Sequence, residues 1–158
     1  MVKTNAMRIL DKNKVDYNSY SYEVDMDHID GISVAHKISK DERYVFKTLV
    51  AQGRSKQYYV FVIPVAKNLD LKKAAKASGE KSIEMIPVKD INKITGYIRG
   101  GCSPIGMKKN YRTFIDISSL EIESIVVSAG KIGYQIELKI DDLKTLTRAE
   151  ICSLTMDN

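Results

Sequence analysis

Two cysteines, Cys102 and Cys152, and two histidines, His28 and His36, are all the thiols and imidazoles that 158 residues contain. Two thiols so far apart make no disulfide framework and lack the paired spacing of a zinc site. A reducing cytoplasm suits such a chain. No run of about 18 apolar residues is present, so no membrane-spanning helix is expected. Asp11 and Asn13 interrupt the start MVKTNAMRIL where a signal peptide would continue its apolar stretch, and the sequence reads as soluble and unexported. Neither the phosphate-loop pattern nor a dinucleotide fingerprint occurs, and no G-x-S-x-G elbow presents a serine. With so few ligand-type side chains, neither a metal nor a cofactor is expected.

What is there points to one folded unit. Hydrophobic residues make up 44% and charged residues 28%, proportions that let residues 1–158 form a single domain around one core. Lysine and arginine outnumber aspartate and glutamate by 25 to 20, and a net charge of +5 suits a polyanionic partner without identifying one.

Periodicity supplies the elements. Thr4 to Lys14 reads as a helix capped by Thr4. Asn18 to Val24 alternates Tyr20, Tyr22 and Val24 with Ser19, Ser21 and Glu23, as a half-buried strand does. Ser33 is expected to cap a short helix to Ile38. Two central strands, Tyr44 to Ala51 and Lys56 to Val65, follow as an antiparallel hairpin around the polar break GRSK. NLDLKKAAKASG is a helix capped by Asn68 or Asp70 and stopped by Gly79. A brief strand over Ile83 to Ile86 and a helix over Val88 to Ile94 lead to the glycine-rich stretch Gly96 to Gly106, too broken for a regular element. Strands over Thr113 to Ile117, Ser124 to Ser128 and Tyr134 to Leu138 precede a last helix that Asp141 is expected to cap. The sum is an α+β fold, a mostly antiparallel, barrel-like mixed sheet with peripheral helices.

Three features bear on chemistry. Gly96, Gly100, Gly101 and Gly106 let backbone N–H groups approach a ligand and converge on an anion or a carbonyl oxygen, although a tight structural turn has the same composition. Lys47 sits inside the apolar strand VFKTLV, so it either turns outward or is held in a cleft, where it would bind phosphate or stabilise negative charge on an ester. Cys102, Ser103 and Ser128 offer nucleophiles but have almost no imidazole to activate them. An enzyme of this composition works by positioning and electrostatics, with a reactive group supplied by its substrate.

The strings KTNAMRILD, VFKTLV, NLDLKKAAKASG, TGYIRGGCSPIGMKK, TFID and VSAGKIGYQIEL, in this order from about residue 3 to residue 146, resemble the YbaK/EbsC family. That family is similar to the editing domain inserted in some bacterial prolyl-tRNA synthetases. Its best understood members deacylate Cys-tRNA(Pro), with some activity toward Cys-tRNA(Cys), by attack of the cysteinyl thiol on its own ester. The resemblance implies that Lys47 holds the acceptor end or stabilises charge, that the amides of Gly100 and Gly101 polarise the carbonyl, and that Tyr22, Thr48 and Ser128 line the pocket. It implies aminoacyl-tRNA as partner and leaves open a dependence on prolyl-tRNA synthetase. Ile132 departs from the arginine frequent after VSAGK, and Tyr111-Arg112 from a proline common before TFID. Two other readings stay open: a deacylase for another small amino acid such as alanine, and a non-catalytic module that binds an aminoacyl-tRNA end or a synthetase.

Overall fold

The computed structural model describes residues 2–157. Thr4 accepts the Met7 amide at 3.2 Å and opens α1 (Asn5–Lys12), which buries Ala6, Met7 and Leu10. Strand β1 (Tyr17–Ser21) stops before Tyr22, shorter than its alternation suggested. Helix α2 (Gly31–Lys37) is capped by Asp30 and not by Ser33: Asp30 accepts the Ser33 amide at 3.0 Å and the Ser33 hydroxyl at 2.8 Å. The longer acidic side chain, placed before the helix, reaches the free amides that Ser33 itself helps to present.

Strands β2 (Phe46–Gly53) and β3 (Tyr58–Pro64) form the expected antiparallel hairpin, with Lys47 opposite Ile63. Helix α3 (Leu71–Ser78) takes Asp70 as its cap and ends at Gly79. Short β4 (Ile83–Met85) leads through a 3-10 turn, Val88–Asp90, into α4 (Ile91–Thr95). After the glycine-rich loop come β5 (Arg112–Asp116), β6 (Ser124–Ser128) and β7 (Tyr134–Lys139). Helix α5 (Ile140–Thr147) starts one residue before Asp141, which therefore lies in its first turn instead of capping it. Strand β8 (Glu150–Cys152) had no counterpart in the sequence reading.

The strands assemble into a three-stranded sheet ordered β1-β7-β6 and a five-stranded sheet ordered β4-β2-β3-β5-β8. All pairings are antiparallel except β3 with β5 and β5 with β8. The parallel pairing of β3 with β5 demands a long crossover, and α3, β4, α4 and the glycine loop are that crossover. Val45 and Val126 form a parallel bridge between the sheets, and the sheets stay open.

β3 buries both faces. Val60 and Val62 pack with Leu10, Ile125, Ile136 and Leu143 from α1, the smaller sheet and α5. Tyr59, Phe61 and Ile63 pack against Ala74 and Ala75 of α3, and the Phe61 ring stacks on Phe114 at 5.4 Å. A strand covered on two sides reads as a continuous apolar run, which is what YYVFVIP shows. Truncating Phe61 to alanine would cost about 3–5 kcal/mol. This rigid centre holds β2 in place, and a cavity opens along the outer edge of β2.

Candidate functional site

β4 pairs with β2 only over Ala51–Gly53, after which Ile86 donates its amide to the Val50 carbonyl at 3.3 Å. Pro87 then leads into the Val88–Asp90 turn, so the edge of β2 from Phe46 to Leu49 has no strand beside it. The segment leading into α2 covers one flank of this opening, and the turn before α4 covers the other. The glycine loop forms the rim. A cavity of about 400 Å³ results, of a size that holds a small organic ligand.

Its polar lining consists of Lys47, Thr48, Arg99, Cys102, Ser128 and Gln135. Neither a carboxylate nor an imidazole lines it among the described residues. Lys47 is half-buried, joins no ion pair among them, and burial pulls its ammonium pKa down. An unneutralised cation in a partly dry wall is costly without a ligand and strongly attractive to developing negative charge. The Thr48 hydroxyl next to it is buried and has no hydrogen-bond partner among the described residues. A buried hydroxyl without a protein partner is open to a hydrogen bond from a water or a ligand, and Ser118 and Ser119, outside the cavity, share that condition.

The rim is held by close backbone packing. A Cβ on Gly101 would come within 3.0 Å of the Ile132 nitrogen and 3.3 Å of the Lys131 backbone, so any larger residue would push this loop a few tenths of an ångström off the 129–133 turn. The Gly101 amide donates to the Ile98 carbonyl at 2.9 Å. Gly100, at φ +84°, sits between Ile29 and Ile132, lines the cavity, and its amide has no acceptor among the described residues. Tyr97 is buried behind the loop and donates its hydroxyl to the Ile105 carbonyl.

Of the residues singled out from sequence, Lys47, Thr48, Ser128 and Gly100 converge on the cavity. Ser128 also accepts the Gly130 amide at 3.2 Å and so shapes the turn that Gly101 packs on. Gly101 lies one residue behind the lining, with its amide already engaged. Tyr22 likewise stands behind the wall: its hydroxyl accepts from the Gln135 side chain at 3.4 Å, and its amide donates to the Gly133 carbonyl at 3.0 Å. Cys102 does line the cavity, but burial pushes its thiol up to about 11, which keeps it protonated at neutral pH.

Gln135 and Arg99 escaped the sequence reading. Alternation in β7 assigned Gln135 to the polar side, yet it is 5% exposed and lines the cavity together with Val34 of α2 and Leu49 of β2. Its pairing across the sheet with Tyr20 is visible only in the structure, so the sequence held no signal for it. Arg99, inside the glycine stretch, supplies the second positive charge on the wall.

Comparison with known proteins gives a consistent result. A sequence model described as "Aminoacyl-tRNA editing domain" matches residues 29–146. The chain is 46% identical over 153 residues to a protein of Enterococcus faecalis named "Putative Cys-tRNA(Pro)/Cys-tRNA(Cys) deacylase EbsC", covering 97% of this chain and 93% of the relative. Among solved structures, "a putative trans-editing enzyme for prolyl tRNA synthetase" superposes with a TM-score of 0.81 at 19% identity, over 96% of this chain and 93% of the other. "Hypothetical protein APE2540" does so with a TM-score of 0.84 at 17% identity, over 94% and 97%. At such low identity the two structures establish the shared fold.

Proposed function

This chain belongs to the aminoacyl-tRNA editing domain family, and from that premise we propose that it removes cysteine wrongly attached to tRNA(Pro), and acts also on Cys-tRNA(Cys). The observation that carries this reading is a cationic cavity that, among the described residues, is lined by neither carboxylate nor imidazole and so offers an ester electrostatic stabilisation without either as general base. Such a site suits a substrate that brings its own nucleophile, and cysteine brings a thiol.

In the reaction the cysteinyl sulfur attacks the ester carbonyl carbon. A carbon–sulfur bond forms, the carbon–oxygen bond to the ribose breaks, and the thiol proton passes to the departing ribose oxygen. The products are free tRNA and a cyclic thioester. Lys47 and the amide of Gly100 stabilise the oxyanion of the intermediate, while Gly101, through Ile98 and the Lys131–Ile132 backbone, fixes the direction of that amide. Thr48 and Ser128 hold the aminoacyl end, and Tyr22 acts through Gln135. Each oxyanion donor is worth on the order of 10²–10³ in rate.

The need for a separate site is a matter of magnitude. Cysteine and proline are close in volume, and an apolar pocket distinguishes such near-isosteres by only about 1–3 kcal/mol. Selection of tRNA(Pro) over other tRNAs is assigned here to a complex with prolyl-tRNA synthetase, and the place of action to the cytoplasm, where thiols stay reduced. Incubation with Cys-tRNA(Pro) and Ala-tRNA(Pro), labelled on the amino acid, tests the reading. Loss of cysteine alone supports it. Equal loss of alanine would assign the site to a deacylase that uses water, and no loss from either would leave a binding module.

A further inference from the structure

The mouth of the cavity is electrically two-sided. On the α4 flank, Lys89 follows the cavity-lining Val88, and Lys93 lies one helical turn on. Lys108 runs along Gly96, its Cγ 3.3 Å from where a Cβ would stand, and its ammonium donates to the Lys93 carbonyl at 3.3 Å. Arg99 stands where this group meets the cavity. All four are exposed, and among the described residues one carboxylate, Asp90, pairs with any of them, to Lys93 at 3.3 Å. That pair, with the Lys93 side chain 72% exposed, neutralises little.

The α2 flank is the acidic one, with Lys37 at the end of α2 as the cation near Asp25. Asp25, Asp27 and Asp30 surround Ile29, which reaches Gly100 from this side. His28 and the Asp27 amide hold the Asp25 carboxyl below its ordinary range, and the Ser33 amide and hydroxyl do so for Asp30. Both stay ionised well below neutral pH.

Resting on the deacylase reading above, we propose that Lys89, Lys93 and Lys108, with Arg99 at the rim, form the track on which phosphates of the tRNA acceptor strand lie. The acidic flank repels the same strand. A polyanion facing a mouth that is positive on one side and negative on the other is aligned before contact, so its 3′ end reaches the cavity from the α4 side. The track is local. Arg54 and Lys56 stand at the β2–β3 turn, at the far end of β2, about 20 Å from Lys47 at the strand's rise per residue, and Lys76 lies in the last turn of α3, outside the cavity lining.

The test compares two triple variants of equal charge change: Lys89→Glu with Lys93→Glu and Lys108→Glu, and Arg54→Glu with Lys56→Glu and Lys76→Glu. Binding of uncharged tRNA is measured against salt, alongside cleavage of Cys-tRNA(Pro) and of cysteinyl adenosine, which carries no strand. The α4-flank variant is expected to bind tRNA about 10–100-fold more weakly at low salt. Its slope of log affinity against log salt should be shallower by about 0.7 for each phosphate that is no longer neutralised, and its cleavage of cysteinyl adenosine should match the wild type. Unchanged tRNA binding in that variant, or an equal weakening in the far-side variant, overturns the track. A wild type that cleaves neither ester contradicts the deacylase reading instead, and the binding comparison still decides where tRNA lies.

Discussion

The backbone nitrogen of Ile132 lies 3.0 Å from the point where a Cβ on Gly101 would project. Two loops far apart in sequence therefore pack backbone to backbone at the rim of the cavity, one residue from the unbonded Gly100 amide. Gly101→Ala should push the loops apart, lower stability by about 1–3 kcal/mol and reduce deacylation by at least tenfold. Urea unfolding and a rate assay on the folded variant check both. Wild-type activity in Gly101→Ala would show that the loop packing does not matter for the chemistry.

Lys47 makes the opposite trade. Its pKa is lowered from the ordinary 10.5 by burial, so the charged form is disfavoured on folding. The cost is present wherever the side chain is charged in both states. It fades as pH rises through the window between the folded value and 10.5. Lys47→Met should thus be at least as stable as wild type at neutral pH, with the gap narrowing near pH 10, while deacylation falls by about 10²–10³-fold. Denaturation midpoints at two pH values and single-turnover rates give the answer; a destabilised Lys47→Met at neutral pH would refute the buried-cation argument.

Glu137 ties the α2 segment to the smaller sheet. It accepts the Tyr20 hydroxyl at 2.6 Å and the Lys40 ammonium at 3.2 Å. Burial pushes its carboxyl up, and these two hydrogen bonds outweigh burial and hold it below the usual value. A depressed carboxyl contributes stability above the unfolded value, lost as pH falls through the folded one. Glu137→Gln should lose about 1 kcal/mol at neutral pH, with the difference from wild type shrinking as pH falls below the ordinary 4.5 and gone once pH is below the lowered folded value. A difference independent of pH would assign the effect to packing.

Cys102 should prove dispensable. With its thiol at about 11, alkylation at neutral pH is expected to be slow, and Cys102→Ala should keep deacylation within about twofold, since no activating group turns the thiol into a nucleophile. A folded but inactive Cys102→Ala would restore covalent catalysis as a mechanism.

Much of this was legible in the sequence. The Thr4 cap, the β2–β3 hairpin, the Asp70–Gly79 helix and the irregular glycine loop all have strong local signals, and the structure has each of them. Other features depend on distant contacts. β8 is three residues long and exists because β5 offers a parallel edge, through Ile115 beside Ile151. Asp30 and Ser33 are both good caps three positions apart, and local chemistry alone does not choose between them. In the site, Lys47 stood out as a charge in an apolar strand. Gln135 did not, because polar alternation says solvent unless a second layer is known to cover that face.

The measurement that tests the central claim most directly is the relative rate of ester loss from Cys-tRNA(Pro), Ala-tRNA(Pro) and Pro-tRNA(Pro) with the purified protein. Substrate-thiol attack predicts rapid loss of cysteine, at least 100-fold faster than alanine or proline, a gap of about 2.7 kcal/mol in barrier. Comparable loss of alanine would contradict it, because alanine has no thiol to attack with.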